Sequence, residues 1–221
     1  MNTFLVIIAV MILILLLLQQ YYQITLGVSP FSAPTDIAET ITKAIRDHAK
    51  VHYSNSPKEP QESSDNKAPS QAEEETMRRF YVINSGLGNF VSAMATALDD
   101  KSDPKQWRVI GLEPNPVVWM ISQILSIWRK NDNIRLYLRS LKKWPGNDKP
   151  DIIFCNLGKI NLKSLQPQLE KAMQLGVTVL CYDETIHVWK PVKRLSSPNG
   201  KPLLLHTSES LPTSVDIPKE I

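Results

Sequence analysis

Two short segments and one isolated residue have the types and spacing that could do chemistry. Asn84-Ser85-Gly86-Leu87-Gly88-Asn89-Phe90 sets two glycines one residue apart, at the end of the β-rich run FYVIN (80–84). Lacking a Cβ, glycine lets such a loop turn tightly and bring backbone N–H groups up to a ligand where the next helix begins. Gly111-Leu112-Glu113-Pro114-Asn115-Pro116 puts a carboxylate at the end of a second run, RVIGLE (108–113). A carboxylate in that place can accept both hydroxyls of a ribose, so Gly86 and Gly88 together with Glu113 point to an adenosine-containing ligand. The same residues also admit a plainer reading, two turn glycines and a solvated glutamate. Asn156 closes the run DIIFCN (151–156); its side-chain carbonyl suits the positioning of a substrate amine, and equally suits a turn.

Other chemistries lack their residues. No G-x-S-x-G elbow is present, and His187 and His206 have no carboxylate partner evident in sequence from which to build a triad. Cys155 and Cys181 both sit inside apolar strand-like runs, which argues for a reducing compartment and against a disulfide framework. There is no paired Cys or His spacing for a metal. A nicotinamide-dependent oxidoreductase would want Gly or Ala where Val91 stands. Arg135, Arg139, Lys142 and Lys143 form a local basic cluster that suits anionic lipid head groups or a solvated face. Its only aromatic neighbours are Tyr137 and Trp144, so no nucleic-acid partner is expected.

The elements that must position these residues follow from the rhythm of the chain. Strand-like runs at 80–84, 108–113, 134–138, 151–156 and 177–182 alternate with helical stretches at 90–98, 116–129 and 162–174. Strands separated by helices of this size imply parallel crossovers and an α/β, Rossmann-like doubly wound sheet, whose ligands bind beyond the carboxyl ends of the strands. HVWKPV (187–192) and PLLLH (202–206) are expected to add a terminal antiparallel hairpin. Trp119 and Trp128 fall on the second helical stretch with Val118, Ile121, Leu125 and Ile127 and are expected in the core.

Ahead of this domain, Phe4 to Leu18 is an unbroken run of fifteen apolar residues, about 22 Å as a helix. With its flanks, including Tyr21 and Tyr22 at the level of an interfacial belt, it is expected to be a transmembrane anchor over 1–23. A cleaved signal is the weaker reading, because MNT carries no Lys or Arg and no A-x-A-like site follows. Residues 24–53 are a juxtamembrane segment with an amphipathic helix (Ile37, Ile41, Ile45) that needs a surface to pack on. Residues 54–76 read as a flexible acidic linker, two basic residues against six acidic, with no apolar side chain larger than alanine apart from proline. The folded domain is expected over 77–210, with twenty basic and thirteen acidic residues from 77 to the end, and 211–221 as a flexible tail.

On these residues the chain resembles the class I S-adenosylmethionine-dependent methyltransferases, with NSGLGNF standing where that family has D/E-x-G-x-G-x-G. The order of its parts is similar to that of the small membrane-anchored protein-lysine methyltransferases, the ATP synthase c-subunit lysine methyltransferase group. It shows an apolar run, Pro30-Phe31-Ser32-Ala33-Pro34-Thr35, the glycine loop, a G-x-E-x-x-P strand end, a hydrophobic fourth strand and Trp189-Lys190-Pro191. The resemblance implies S-adenosylmethionine as cofactor, held by Asn84, Gly86, Gly88, Glu113 and Asn156, with no metal. It further implies a lysine of a membrane-associated protein as acceptor, the lipid bilayer as partner of the N-terminal helix, and a domain on the cytoplasmic side. Asn84 replaces the family's loop-opening acid, and Phe90 its third glycine. These departures imply weak activity and leave a second expectation, an inactive membrane-tethered Rossmann-like binding module.

Overall fold

The computed structural model describes residues 3–26, 35–53, 77–99, 106–129, 131–141 and 149–212. The acidic stretch 54–76, residues 30–34 of the proline-containing segment, Lys142, Lys143, Trp144 and the tail from 213 lie outside the described residues.

Among the described residues, seven strands form one sheet in the order β3-β2-β1-β4-β5-β7-β6. β1 (Arg78–Ile83), β2 (Trp107–Glu113), β3 (Ile134–Leu138), β4 (Ile152–Cys155) and β5 (Thr178–Tyr182) are parallel; β7 (Pro202–His206) runs antiparallel between β5 and β6 (Lys193–Ser196). β4 is buried at every position, as a central parallel strand covered on both faces should be, whereas the edge strands β3 and β6 are largely exposed.

One face is covered by α2 (Ala38–Tyr53), α3 (Asn89–Leu98) and α4 (Pro116–Arg129), the other by α5 (Lys159–Ser164) and α6 (Gln166–Gln174). The amphipathic helix finds its surface here, since Ile37, Ile41 and Ile45 join Phe90, Val91 and Met94 of α3 in a single core. On the opposite face Leu162, Leu165, Leu169 and Met173 close over Ile153 and Val179.

Several expectations are corrected. The helix expected over 162–174 is two helices, broken at Leu165 because Pro167 has no N–H to continue the ladder and is tolerated only in a first turn. The first hairpin strand lies at 193–196, not 187–192. Trp189 there turns inward instead: its backbone N–H donates to Ile186 O, and its indole Nε1 donates to Glu170 Oε1 at 3.0 Å. Trp119 is packed, with Nε1 donating to Leu136 O at 3.1 Å, but Trp128 is 82% exposed and Ile127 73% exposed, so neither belongs to the core.

α1 (Thr3–Leu26) is a 24-residue helix whose apolar side chains from Phe4 to Leu17 are exposed. Among the described residues, no helix is long and apolar enough to cross a membrane. The transmembrane span expected over 1–23 is corrected accordingly: the apolar run ends at Leu18, and Gln19, Gln20 and Gln23 follow it. That run covers about 22 Å of a hydrocarbon core roughly 30 Å thick.

Candidate functional site

β1 is the point where the order of the sheet reverses, with β2 on one side and β4 on the other, and ligands of such sheets bind beyond the carboxyl ends of the strands at that position. Ile83 is in register with both Leu112 and Cys155. The next residues along, Asn84, Glu113 and Asn156, therefore step out side by side at that edge.

Glu113 organises this edge. Its Oε2 accepts the Gly86 N–H at 2.9 Å and its Oε1 accepts the Asn115 N–H at 2.9 Å, with the side chain fully buried. Asn115 in turn caps α4, its Oδ1 accepting from Val117 N at 2.9 Å and Val118 N at 3.2 Å, and Pro116 fills the first helical position, where no N–H is needed. The E-P-N-P sequence thus fixes the carboxylate and starts the helix in four residues.

The glycine loop is left-handed at three points: Asn84 at φ 51°, Gly86 at 58° and Gly88 at 76°. Asparagine is among the few side chains that tolerate this region, so Asn84 occupies it at little cost. The Gly88 N–H closes a turn onto Ser85 O at 3.1 Å. Ser85 lies over Gly111, where an added Cβ would come within 2.8 Å of Ser85 Oγ and 2.6 Å of a Leu136 methyl; only glycine fits beneath the loop. Ser85 Oγ itself is buried with no hydrogen-bond partner among the described residues.

Phe90, at the start of α3, turns into the core. Its ring is 1% exposed and packs 4.4 Å from that of Phe154. Asn156 is partly exposed at the end of β4, followed by buried Leu157 and by Gly158 at the start of α5. Two contributors were not expected from sequence. Arg129, 42 residues from Leu87, donates from Nη1 to Leu87 O at 3.2 Å and from Nη2 to Asn89 Oδ1, tying the end of α4 to the loop. Asn161 donates to Thr25 O at 3.0 Å, while Leu18 packs with Leu87 and Val118. The last two turns of α1 therefore lie across this edge, between the glycine loop and α5. Nothing in the sequence signals either long-range contact.

Burial shifts two further groups, His206 and Cys155. His206 is fully buried, with Nε2 3.1 Å from Thr185 Oγ1 and its ring against Trp189, and burial pushes its imidazole down to about 4. Cys155 and Cys181 face each other across β4 and β5 as free thiols. The hydrogen bond with Cys181, then burial, raises the Cys155 thiol well above its usual range and removes it as a nucleophile. Among the described residues no His, Cys, Asp and Glu cluster could hold a metal ion.

Neither protein-family models nor curated proteins match the sequence. Solved structures match the fold. An RNA methyltransferase from Salinibacter ruber, in complex with S-adenosyl-L-homocysteine, aligns with 70% of this chain and 98% of its own at 16% identity and a TM-score of 0.50. A putative O-methyltransferase from Klebsiella pneumoniae aligns with 76% of this chain and 97% of its own at 12% identity and a TM-score of 0.43. With five parallel strands, an inserted antiparallel seventh and the glycine loop at the reversal of strand order, the chain has the fold of the class I S-adenosylmethionine-dependent methyltransferases.

Proposed function

We propose that the protein is a membrane-seated, S-adenosylmethionine-dependent methyltransferase-like protein acting weakly on a lysine of a neighbouring membrane-associated protein, its domain on the cytoplasmic side. The observation that carries this reading is the bond between the Gly86 N–H and the Glu113 carboxylate, which joins the loop and the strand end at one edge of the sheet. The residues present fit the cofactor. The loop carries glycines at positive φ, a carboxylate at the neighbouring strand end suits ribose hydroxyls, and Ser85 Oγ, without a partner among the described residues, marks unused hydrogen-bonding capacity at the loop. Bound there, S-adenosylmethionine would supply an electrophilic methyl group.

The chain's part in methyl transfer would be positioning. Glu113 and the loop hold the nucleoside, and Asn156 offers its side-chain carbonyl to orient a neutral amine. Alignment of that amine supplies the catalysis without a dedicated acid or base. Membrane seating is supported by the exposed apolar side chains of α1. Because α1 also touches Leu87 and Asn161, it would hold the crevice beside the bilayer and raise the effective concentration of membrane-protein lysines.

The test is tritiated methyl transfer by the full chain in native membranes, with mass spectrometry of the labelled protein. Methyl-lysine in a membrane protein, lost in Gly86→Val, supports the reading; label distributed identically with both proteins overturns it. A second reading, an inactive tethered module, is favoured by Asn84 standing where the family has an acid.

A further inference from the structure

Glu113 is 0% exposed, and Ser85, Gly86, Leu87 and Gly88 are buried with it. A carboxylate that accepts ribose hydroxyls must be within their reach, and here neither it nor the loop is open to a ligand. One helix straddles this edge. Leu18 of α1 packs against the cluster of Leu87, from the loop after β1, and Val118, from α4. Farther along, Thr25 O accepts from Asn161 Nδ2 at 3.0 Å, on α5 after β4. From 18 to 25 a helix advances about 10 Å. β1 and β4 are neighbours in the sheet, roughly 5 Å apart. The last two turns of α1 therefore join the loop that follows one strand to the helix that follows the other.

We infer that these two turns are a lid, and that the arrangement described is its closed state: S-adenosylmethionine reaches Glu113 only after Leu18 leaves Leu87 and Thr25 leaves Asn161. Of the elements over the loop, α4 is fastened to the domain. Asn115 caps it, Trp119 and Gln123 both donate to Leu136 O, at 3.1 and 2.8 Å, and Arg129 is bonded to Leu87 and Asn89. α1 by contrast leaves its apolar side chains from Phe4 to Leu17 exposed, and what joins it to Leu87 and Asn161 is a partly buried leucine and an exposed hydrogen bond. It is the element that can lift without unfolding the sheet. A binding edge that is open only part of the time lowers apparent affinity in proportion to the open fraction, so the closed lid is a second source of weak activity beside Asn84.

The ligand is taken from the methyltransferase-like reading, and the experiment separates the two. Thr25→Cys with Asn161→Cys is joined in the full chain, in detergent, by a reducible bis-maleimide; Cys155 and Cys181 are buried and out of its reach. Cross-linking reads the lid without cofactor, and calorimetry with S-adenosylmethionine reads the edge. The lid predicts that the cross-link forms within one chain, that the locked chain binds no cofactor until reduced, and that Leu18→Glu alone binds roughly tenfold tighter than wild type. Ile12→Glu, on the exposed part of α1, should bind as wild type does. Equal binding by locked and reduced chains overturns the lid and leaves the cofactor reading in place. Failure to cross-link, or equal affinity of Leu18→Glu and wild type, overturns it likewise. Cofactor bound by none of these chains ends the methyltransferase-like reading and the lid with it.

Discussion

At the level of single residues the account rests on Glu113. Glu113→Gln turns an amide N–H toward one of two backbone N–H groups in a fully buried place, and a buried group left without its bond costs about 1–3 kcal/mol. Urea denaturation of the variant should show a loss of that size together with weaker S-adenosylmethionine binding; unchanged stability would mean that the carboxylate does not hold the loop. Asn84 is the complementary case. Its φ of 51° suits aspartate as well, and a hydrogen bond to a charged group is worth about 1.5–3 kcal/mol. Asn84→Asp should therefore tighten cofactor binding by roughly tenfold or more in calorimetry. Replacing Phe90 by glycine should instead destabilise the fold. Its ring fills the core against Phe154, where Phe→Ala substitutions cost about 3–5 kcal/mol. The types and spacing of Gly86, Gly88 and Glu113 were legible in the sequence because each is local to a strand end. The direction of Phe90 and the reach of Arg129 were not, because both depend on which elements fold against one another.

Among the elements, those with a strong period were legible. α4 begins and ends where its pattern does, at 116 and 129, since Asn115 and Pro116 are local start signals. The segment 187–192 does not form the expected strand, because burial of Trp189 against His206 and its hydrogen bond to Glu170 override any strand preference, leaving Val188 and Val192 exposed. That corner carries a pH signature. The folded-state pKa of His206 lies near 4, below the ordinary value of 6.5, so the unfolded chain binds the extra proton first as pH falls. The stability from keeping this ring neutral is fully present above about pH 6.5, falls as pH drops toward 4 and is exhausted below it, a loss of about 3 kcal/mol over that window. Thermal unfolding of wild type against His206→Gln should show this slope only in wild type; parallel slopes would place the acid sensitivity elsewhere. Gly111→Ala, by contrast, should destabilise at every pH, because its Cβ meets Ser85 and Leu136 at under 3 Å.

For the whole molecule, fold class could be read from strand and helix alternation, but the contact of α1 with the glycine loop and α5 could not. Hydropathy alone shows that Phe4 to Leu18 is apolar; only the structure brings Leu18 beside Leu87 and Thr25 beside Asn161. The exposure of Trp128 was likewise hidden, because a 3.6-residue period shows that a helix has an apolar face without showing that a second one is left bare. Everything proposed about function depends on the crevice at β1 accepting the nucleoside. The most direct test is calorimetric titration of the full chain, in detergent, with S-adenosylmethionine, beside Glu113→Gln and Asn84→Asp. The account predicts saturable one-to-one binding at or below millimolar cofactor, weakened by the first substitution and strengthened by the second. No binding by either wild type or Asn84→Asp would contradict it and leave a module that keeps this fold without the cofactor.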